Sequence, residues 1–300
     1  MNKNTLRFKI VDTLYILMMA LPILGCIILK ILTYPPSEGI AIRGALIYFS
    51  FPMPIMDMVV TESQINSLAV LIAVWGLCMY LTHGMGHIPM LRRHHLAEWM
   101  VQSVKNMVRG NMGEYFMAFA PFVVSILALS GFSSLLSLFG LYPPTSDINI
   151  VSGWAILVFI LITYYKMKCG PIQYIKSFGD PVPFLAPLNI ISEVATPISM
   201  AFRHYGNVLS GLVISVLVAT GLSGLSNMVF GFLPGFLGEF PFLQIGIPAV
   251  LSIYFDIFSG LLQAYIFAML TMLYISSGFP LDLYNKRKMM KKQKYANAKN

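Results

Sequence analysis

Polar side chains recur at steps of three or four residues through an otherwise apolar run: Ser192, Thr196, Ser199, Arg203, Asn207 and Ser210. That spacing places them on one face of one helix. Arg203 dominates the stripe. The flanking acids in sequence are Glu193 and Glu239, the guanidinium keeps its proton in any protein environment, and at the centre of a membrane helix it costs about 2.5–3.5 kcal/mol even on the lenient insertion scale. Such a charge needs a reason. One reading is structural, a polar seam against neighbouring helices or a soluble core helix with its partner elsewhere. The sharper reading is a hydrated path past a fixed positive charge.

The elements that carry these residues must be membrane spans. Hydrophobic residues make up 57% of the chain, charged residues 11%, and the mean hydropathy is +0.74, values that exclude an ordinary soluble domain. Apolar stretches fall at about residues 11–33, 65–83, 115–139, 149–168, 184–223 and 240–279, each long enough for a hydrocarbon core of roughly 30 Å. The expected fold is therefore all-α and polytopic, with about six transmembrane helices. Forty helical residues extend about 60 Å, so the last two spans are expected to tilt strongly, bend or include interfacial ends, with Pro197 and Pro248 available as bends.

Of the 20 basic residues, all but Arg43, Lys30 and Arg203 fall in segments that lie on one side when the amino terminus is placed inside. Both termini are then cytoplasmic, and the net charge of +8 is a topological bias, with no nucleic-acid footprint implied. Lys30, near an outer end of the first span, is expected to snorkel. The first span has a basic start like a secretory signal, but its apolar stretch is long and no small-x-small site follows closely, so a retained helix is expected. Ile23-Leu24-Gly25-Cys26 resembles a lipoprotein pattern only faintly. Cys26, Cys78 and Cys169 show neither a disulfide framework nor zinc spacing. His83 and His87 are one helical turn apart, but Gly84 stands where a zinc protease needs Glu, and both read as interfacial histidines.

The last two spans must be antiparallel neighbours, because the connection around Leu222–Glu239 is a turn rich in Gly and Pro. Counting from that turn brings Arg203 and Gln263 to similar depth. On the final span Asp256, Gly260, Gln263 and Phe267 share a face, with Asp256 about 10 Å outward of Gln263; Glu193 lies about 15 Å inward of Arg203. One carboxylate thus stands on each side of the buried cation. Intramembrane acids mark ion routes or proton relays, and a structural Asp256, hydrogen-bonded across helices, remains the alternative.

At these residues the chain resembles subunit a of the rotary F-type ATP synthases. The resemblance rests on PLNIISEVATPISMAFRHYGNVLSG (Pro187 to Gly211), LLQAYIFAMLTMLYIS (Leu261 to Ser276), PPTSDIN (Pro143 to Asn149) and YIKSFGDPVPFLAPLN (Tyr174 to Asn189). In order, these cover roughly Met58 to Phe279. The resemblance implies an ion-translocating stator subunit in which Arg203 stands between two half-channels and faces a ring of c subunits. Asn207 and Gln263 match the polar companions of that Arg. Asp256 is then expected to serve the outer half-channel and Glu193 the inner one, with Thr196, Ser199 and Ser210 lining the path. Further implied partners are b-type peripheral stalk subunits, membrane lipids and, indirectly, the catalytic headpiece; no nucleic acid, cofactor, metal or catalytic residue is implied.

The chain also departs from the family pattern. Leu212 stands where many members have Glu, Asp256 where many have His, and His204 where an apolar residue is common. His204 is expected to point away from the channel. Residues 1–40 form an added span without a counterpart in shorter members, residues 41–283 the subunit a-like body, and 284–300 a basic cytoplasmic tail. Lysine-rich segments suggest a bacterial inner membrane. The chief rival is a secondary transporter binding an anionic solute at Arg203, disfavoured because residues 11–139 and 149–279 show no internal repetition. An intramembrane enzyme is weaker still, as the two helix stripes offer no Ser-Lys, paired Asp or zinc-type His arrangement.

Overall fold

A computed structural model describes residues 3–33, 44–54, 57–86, 91–179, 183–232, 243, 246–279 and 289. The basic tail 284–300, apart from residue 289, lies outside the described residues, as does His87. Among the described residues six helices are long and apolar enough to cross a membrane: Phe8–Thr33, Glu62–Thr82, Glu114–Phe139, Ile148–Lys168, Pro183–Phe230 and Ile253–Ser277. The fold is the expected polytopic helical bundle.

Helix α1 (Lys3–Thr33) packs along α2 (Glu62–Thr82). A Cβ at Gly76 would come within 3.2 Å of the Met19 backbone nitrogen, so the missing side chain lets the two helices approach closely. Cys26 is buried between them with Ala69 and Val70, and against Leu136 and Leu141. The pair is antiparallel, because polar contacts tie both ends. At one end Asp12 accepts from Arg93 Nη1 at 2.8 Å and pairs with His83 Nδ1 at 2.8 Å. At the other, Lys30 meets Glu62. A short antiparallel hairpin, β1 (Ile47–Phe51) with β2 (Met58–Thr61), leads into α2 and adds a small sheet to the helical bundle.

The basic segment after α2 is a helix, α3 (Arg92–Met112). Its buried face carries His94, Ala97, Val108 and Met112, while Leu96, Trp99 and Met100 stay exposed. A 3-10 turn (Glu114–Phe119) continues into α4 (Ala120–Leu135). Helix α5 (Ile148–Cys169) starts at Asp147, whose carboxylate accepts from the Asn149 N–H at 3.0 Å, an N-cap that satisfies one orphan donor. Ser63 Oγ donates to the same carboxylate and ties the start of α2 to the start of α5. Helix α6 (Pro171–Ser177) is short.

Helix α7 (Ala186–Phe230) runs for 45 residues, about 68 Å at 1.5 Å per residue, roughly twice the hydrocarbon thickness. It passes through Pro197 without interruption, and the expected turn at Leu222 comes only after Phe230 because Gly221 and Gly224 remain helical. The return leg comprises α8 (Ile247–Ser252), a π-helical segment (Ile253–Ser259) and α9 (Gly260–Ser277). The main core joins α3, α4, α5, α7 and α9 through residues such as Val108, Val123, Val158, Met200, Phe267 and Met272.

Candidate functional site

Three contacts fix how α7 and the return leg face each other. His204 packs edge-on to Phe267, ring centroids 5.6 Å apart. Asn207 Nδ2 donates to Gln263 Oε1 at 2.8 Å. A Cβ on Gly211 would stand 3.0 Å from Phe255 Cβ. Rising numbers on α7 meet falling numbers on the partner, so the two are antiparallel in the register that depth counting requires. Gln263 is 1% exposed, and its amide oxygen is satisfied by Asn207.

Arg203 lies one turn before Asn207 on the exposed side of α7, with Ser192, Ser199, Asn207 and Ser210 also exposed. Among the described residues no carboxylate forms an ion pair with its guanidinium. Thr196 Oγ1 donates to the Ser192 carbonyl at 2.9 Å, and Ser210 Oγ to the Asn207 carbonyl at 3.1 Å. Back-bonding of this kind lets a hydroxyl sit in an apolar setting with its donor satisfied. His204 occupies the opposite face. It is fully buried, 3.3 Å from Ser130 Oγ, and edge-on to Trp154.

Asp256 sits in the π-helical segment and lines a cavity of about 310 Å³ with Lys30, Glu62, Tyr142, Leu212 and Ser215. Projection at uniform α-helical spacing puts Asp256 and Gly260 on the Gln263 face. The wider π turn changes the phase of Asp256 relative to Gln263, while Gly260, in the same α-helix as Gln263, lies against α4, where a Cβ would stand 2.7 Å from Ser134 Cβ. The Lys30 ammonium does not simply snorkel. It lies 3.0 Å from Glu62 Oε1, on a side chain that is 3% exposed, and the same oxygen accepts from the Tyr142 N–H at 3.2 Å. Burial first, then the nearby Asp147 charge, pushes the Tyr142 phenol up to about 12.

Glu193 is at the other end of the bundle. Its Oε1 accepts from Lys166 Nζ at 2.9 Å and from Tyr174 Oη–H at 2.8 Å. Burial and that bond to Glu193 push the Tyr174 phenol up to about 12, so it remains a donor. Helix α5 separates the two acids: its start contacts Ser63, beside Glu62, and its last turn holds Lys166. Twenty-two residues correspond to about 33 Å. Arg203 and Asn207 belong to the stretch of α7 between these ends, with Gln263 of α9 against Asn207.

Sequence reasoning missed Glu62, Tyr142 and Ser215 as cavity walls, and Lys166 and Tyr174 as partners of Glu193. One signal was present: Lys30 closes the first span and Glu62 opens the second, so antiparallel packing brings opposite charges to one end.

Comparison with known proteins places this geometry in context. The family model for the ATP synthase A chain matches residues 64–276. ATP synthase subunit a of Priestia megaterium is 33% identical over 233 residues, covering 72% of this chain and 92% of that protein. ATP synthase subunit a 1 of Crocosphaera subtropica is 25% identical over 242 residues, covering 79% and 94% respectively. ATP synthase subunit a of Alkalihalophilus pseudofirmus is 32% identical over 201 residues, 60% of this chain and 75% of that one. Because the matched stretch holds both α7 and its antiparallel partner α9, the chain belongs to the ATP synthase A chain family, as a multi-pass membrane-sector subunit.

Proposed function

We propose that this chain is the ion-translocating stator subunit of a bacterial inner-membrane ATP synthase, conducting protons past Arg203 to turn a ring of c subunits. The observation that carries the reading is the exposed guanidinium beside a neutral, satisfied anchor: Arg203 faces outward one turn from the Asn207–Gln263 hydrogen bond. A fixed cation favours the ionised form of a carboxylate brought past it and lowers that group's pKa. A ring carboxylate therefore releases its ion near Arg203, and the same charge blocks direct leakage. Asp256 serves the outer half-channel through the cavity it lines, and Glu193 serves the inner one. Pro197 lacks the N–H that would bond the Glu193 carbonyl, which leaves that carbonyl for water on the inner path. Thr196, Ser199 and Ser210 flank the Arg203 path.

Both termini face the cytoplasm in this reading. Supporting it, Arg93 and Lys166 lie at the end of the bundle opposite Glu62, where positive charge favours the inner leaflet. The packing of α1 against α2 supports a retained amino-terminal helix. ATP chemistry resides in the catalytic headpiece, held through b-type stalk subunits. In vesicles carrying the whole complex, Arg203→Ala is expected to assemble and to abolish ion-driven ATP synthesis; normal synthesis rates would refute the assignment. A cysteine at position 256 should react with an impermeant thiol reagent added outside, and one at 193 with reagent added inside. Reversed labelling would overturn the orientation.

A further inference from the structure

The Lys30–Glu62 pair is not used by the path through Arg203, yet it shares a cavity with Asp256. Both residues precede the stretch that matches the family model, which begins at residue 64. Lys30 comes from helix α1 and Glu62 opens α2, so this wall of the cavity is built where those two helices pack. A carboxylate that is 3% exposed is costly to keep charged unless a cation accompanies it. Without Lys30, Glu62 would take up a proton or another cation from the path.

We propose that Lys30 is a positioning residue of the outer half-channel: by holding Glu62 as an ion-paired carboxylate, it prevents Glu62 from capturing the incoming ion and directs that ion to Asp256. The proposal rests on reading the cavity as the outer path. The opposite imbalance would also be harmful, because an ammonium no longer balanced by Glu62 lowers the local concentration of incoming cations. Each charge therefore needs the other. Around Glu62, the titratable or charged groups among the described residues include Lys30 and Cys26 on α1, Tyr48 on β1, Tyr142 in the loop before α5, Asp147 at the start of α5, tied to Ser63, and Asp256 on the return leg. Lys30 is the cation among them, so its removal changes the protonation demand on Glu62 directly.

The test uses the complete complex in sealed vesicles, with ATP synthesis followed as external pH is varied and the amount of assembled chain measured in each variant. Lys30→Met is expected to slow synthesis and add an ionisation to its external pH profile, displacing the profile by about one unit, or roughly tenfold in proton concentration. Glu62→Gln is expected to slow synthesis only where external supply is limiting. The double variant Lys30→Met/Glu62→Gln and the conservative Lys30→Arg should both return to the wild-type profile. A Lys30→Met profile identical to wild type, or a double variant as impaired as Lys30→Met, overturns the proposal. Asp256→Asn is assayed in parallel. If it too leaves the external pH response unchanged, the outer-path reading itself fails; if it alone alters that response, only the role of Lys30 fails.

Discussion

Replacing Asn207 by Ala would remove the donor from Gln263 Oε1, an atom held at 2.8 Å from the amide on a residue that is 1% exposed. Two magnitudes compete. A buried acceptor left without a partner costs about 1–3 kcal/mol, whereas hydrogen bonds between membrane helices show coupling of about 0.6 kcal/mol on average and about 1.7 at most. The orphan penalty is the larger, so Asn207→Ala should destabilise more than the pair itself contributes. Gln263→Leu should cost less, because it leaves the Asn207 amide on the exposed side of α7. Adding Gln263→Leu to Asn207→Ala removes the stranded acceptor and should recover stability relative to Asn207→Ala alone. Thermal denaturation of the complex in mild detergent reads this, at about 2–4 °C per kcal/mol for a chain of comparable size. Strictly additive losses in the double variant would mean that the two amides do not interact, and the register of α7 against α9 would be wrong.

Other outcomes follow from the same packing. Gly211→Val should push a side chain into Phe255, 3.0 Å from the ideal Cβ, and cost about 1–3 kcal/mol by overpacking, with Phe255→Ala relieving part of the loss in the same melting assay. Gly260→Ala meets Ser134 Cβ at 2.7 Å and should be rescued by Ser134→Gly; equal melting of single and double variants would place α9 away from α4. The Tyr174 phenol is raised from 10 to about 12. A raised folded pKa means its stabilisation is full below about pH 10 and is lost as pH rises through about 12. The melting difference between wild type and Tyr174→Phe should therefore be constant from pH 7 to 9.5 and narrow above that; a difference that narrows below pH 9 would refute the bond to Glu193.

The spans were legible because a bilayer demands long apolar stretches, and Arg203 stood out because a charge within such a stretch is costly. Counting residues from a shared turn put Gln263 level with Arg203, one turn from its observed partner Asn207; the described helix ends, Phe230 and Ile247, lengthen the first leg and shorten the second, so side-chain contact and not the count sets the register. The rest depended on contacts that spacing cannot encode. Periodicity assumes one helical pitch, so the π-helical segment around Asp256 was hidden, and the approach of Gly260 to Ser134 is a contact between helices. Helix α3 was hidden by its charges, since a hydropathy criterion built for spans passes over a helix with His94 and Val108 on one face and Arg92 and Lys105 in the same sequence. Glu193 reads as an isolated acid in its own helix, and its partners Lys166 and Tyr174 come from α5 and α6.

The adjacent residues Arg203 and His204 are divided by the helix that carries them, one exposed and one buried. Neighbouring positions on a helix point about 100° apart, so a face that exposes one withdraws the other. The chain withdraws the imidazole, which places Nε2 beside Ser130 Oγ and packs edge-on to Trp154 and Phe267, while Nδ1 finds no hydrogen-bond partner among the described residues. It exposes the guanidinium, which cannot lose its proton. Burying Arg203 in that interior would require a carboxylate partner, and such a partner would neutralise the field that a passing acid is proposed to feel. Anchoring α7 through neutral groups, the Asn207–Gln263 amides and the His204 aromatic cluster, holds the helix in place without spending the Arg203 charge on the bundle. The acids can then stand at opposite ends, Asp256 beside the Lys30–Glu62 pair and Glu193 beside Lys166, with the permanent cation between them.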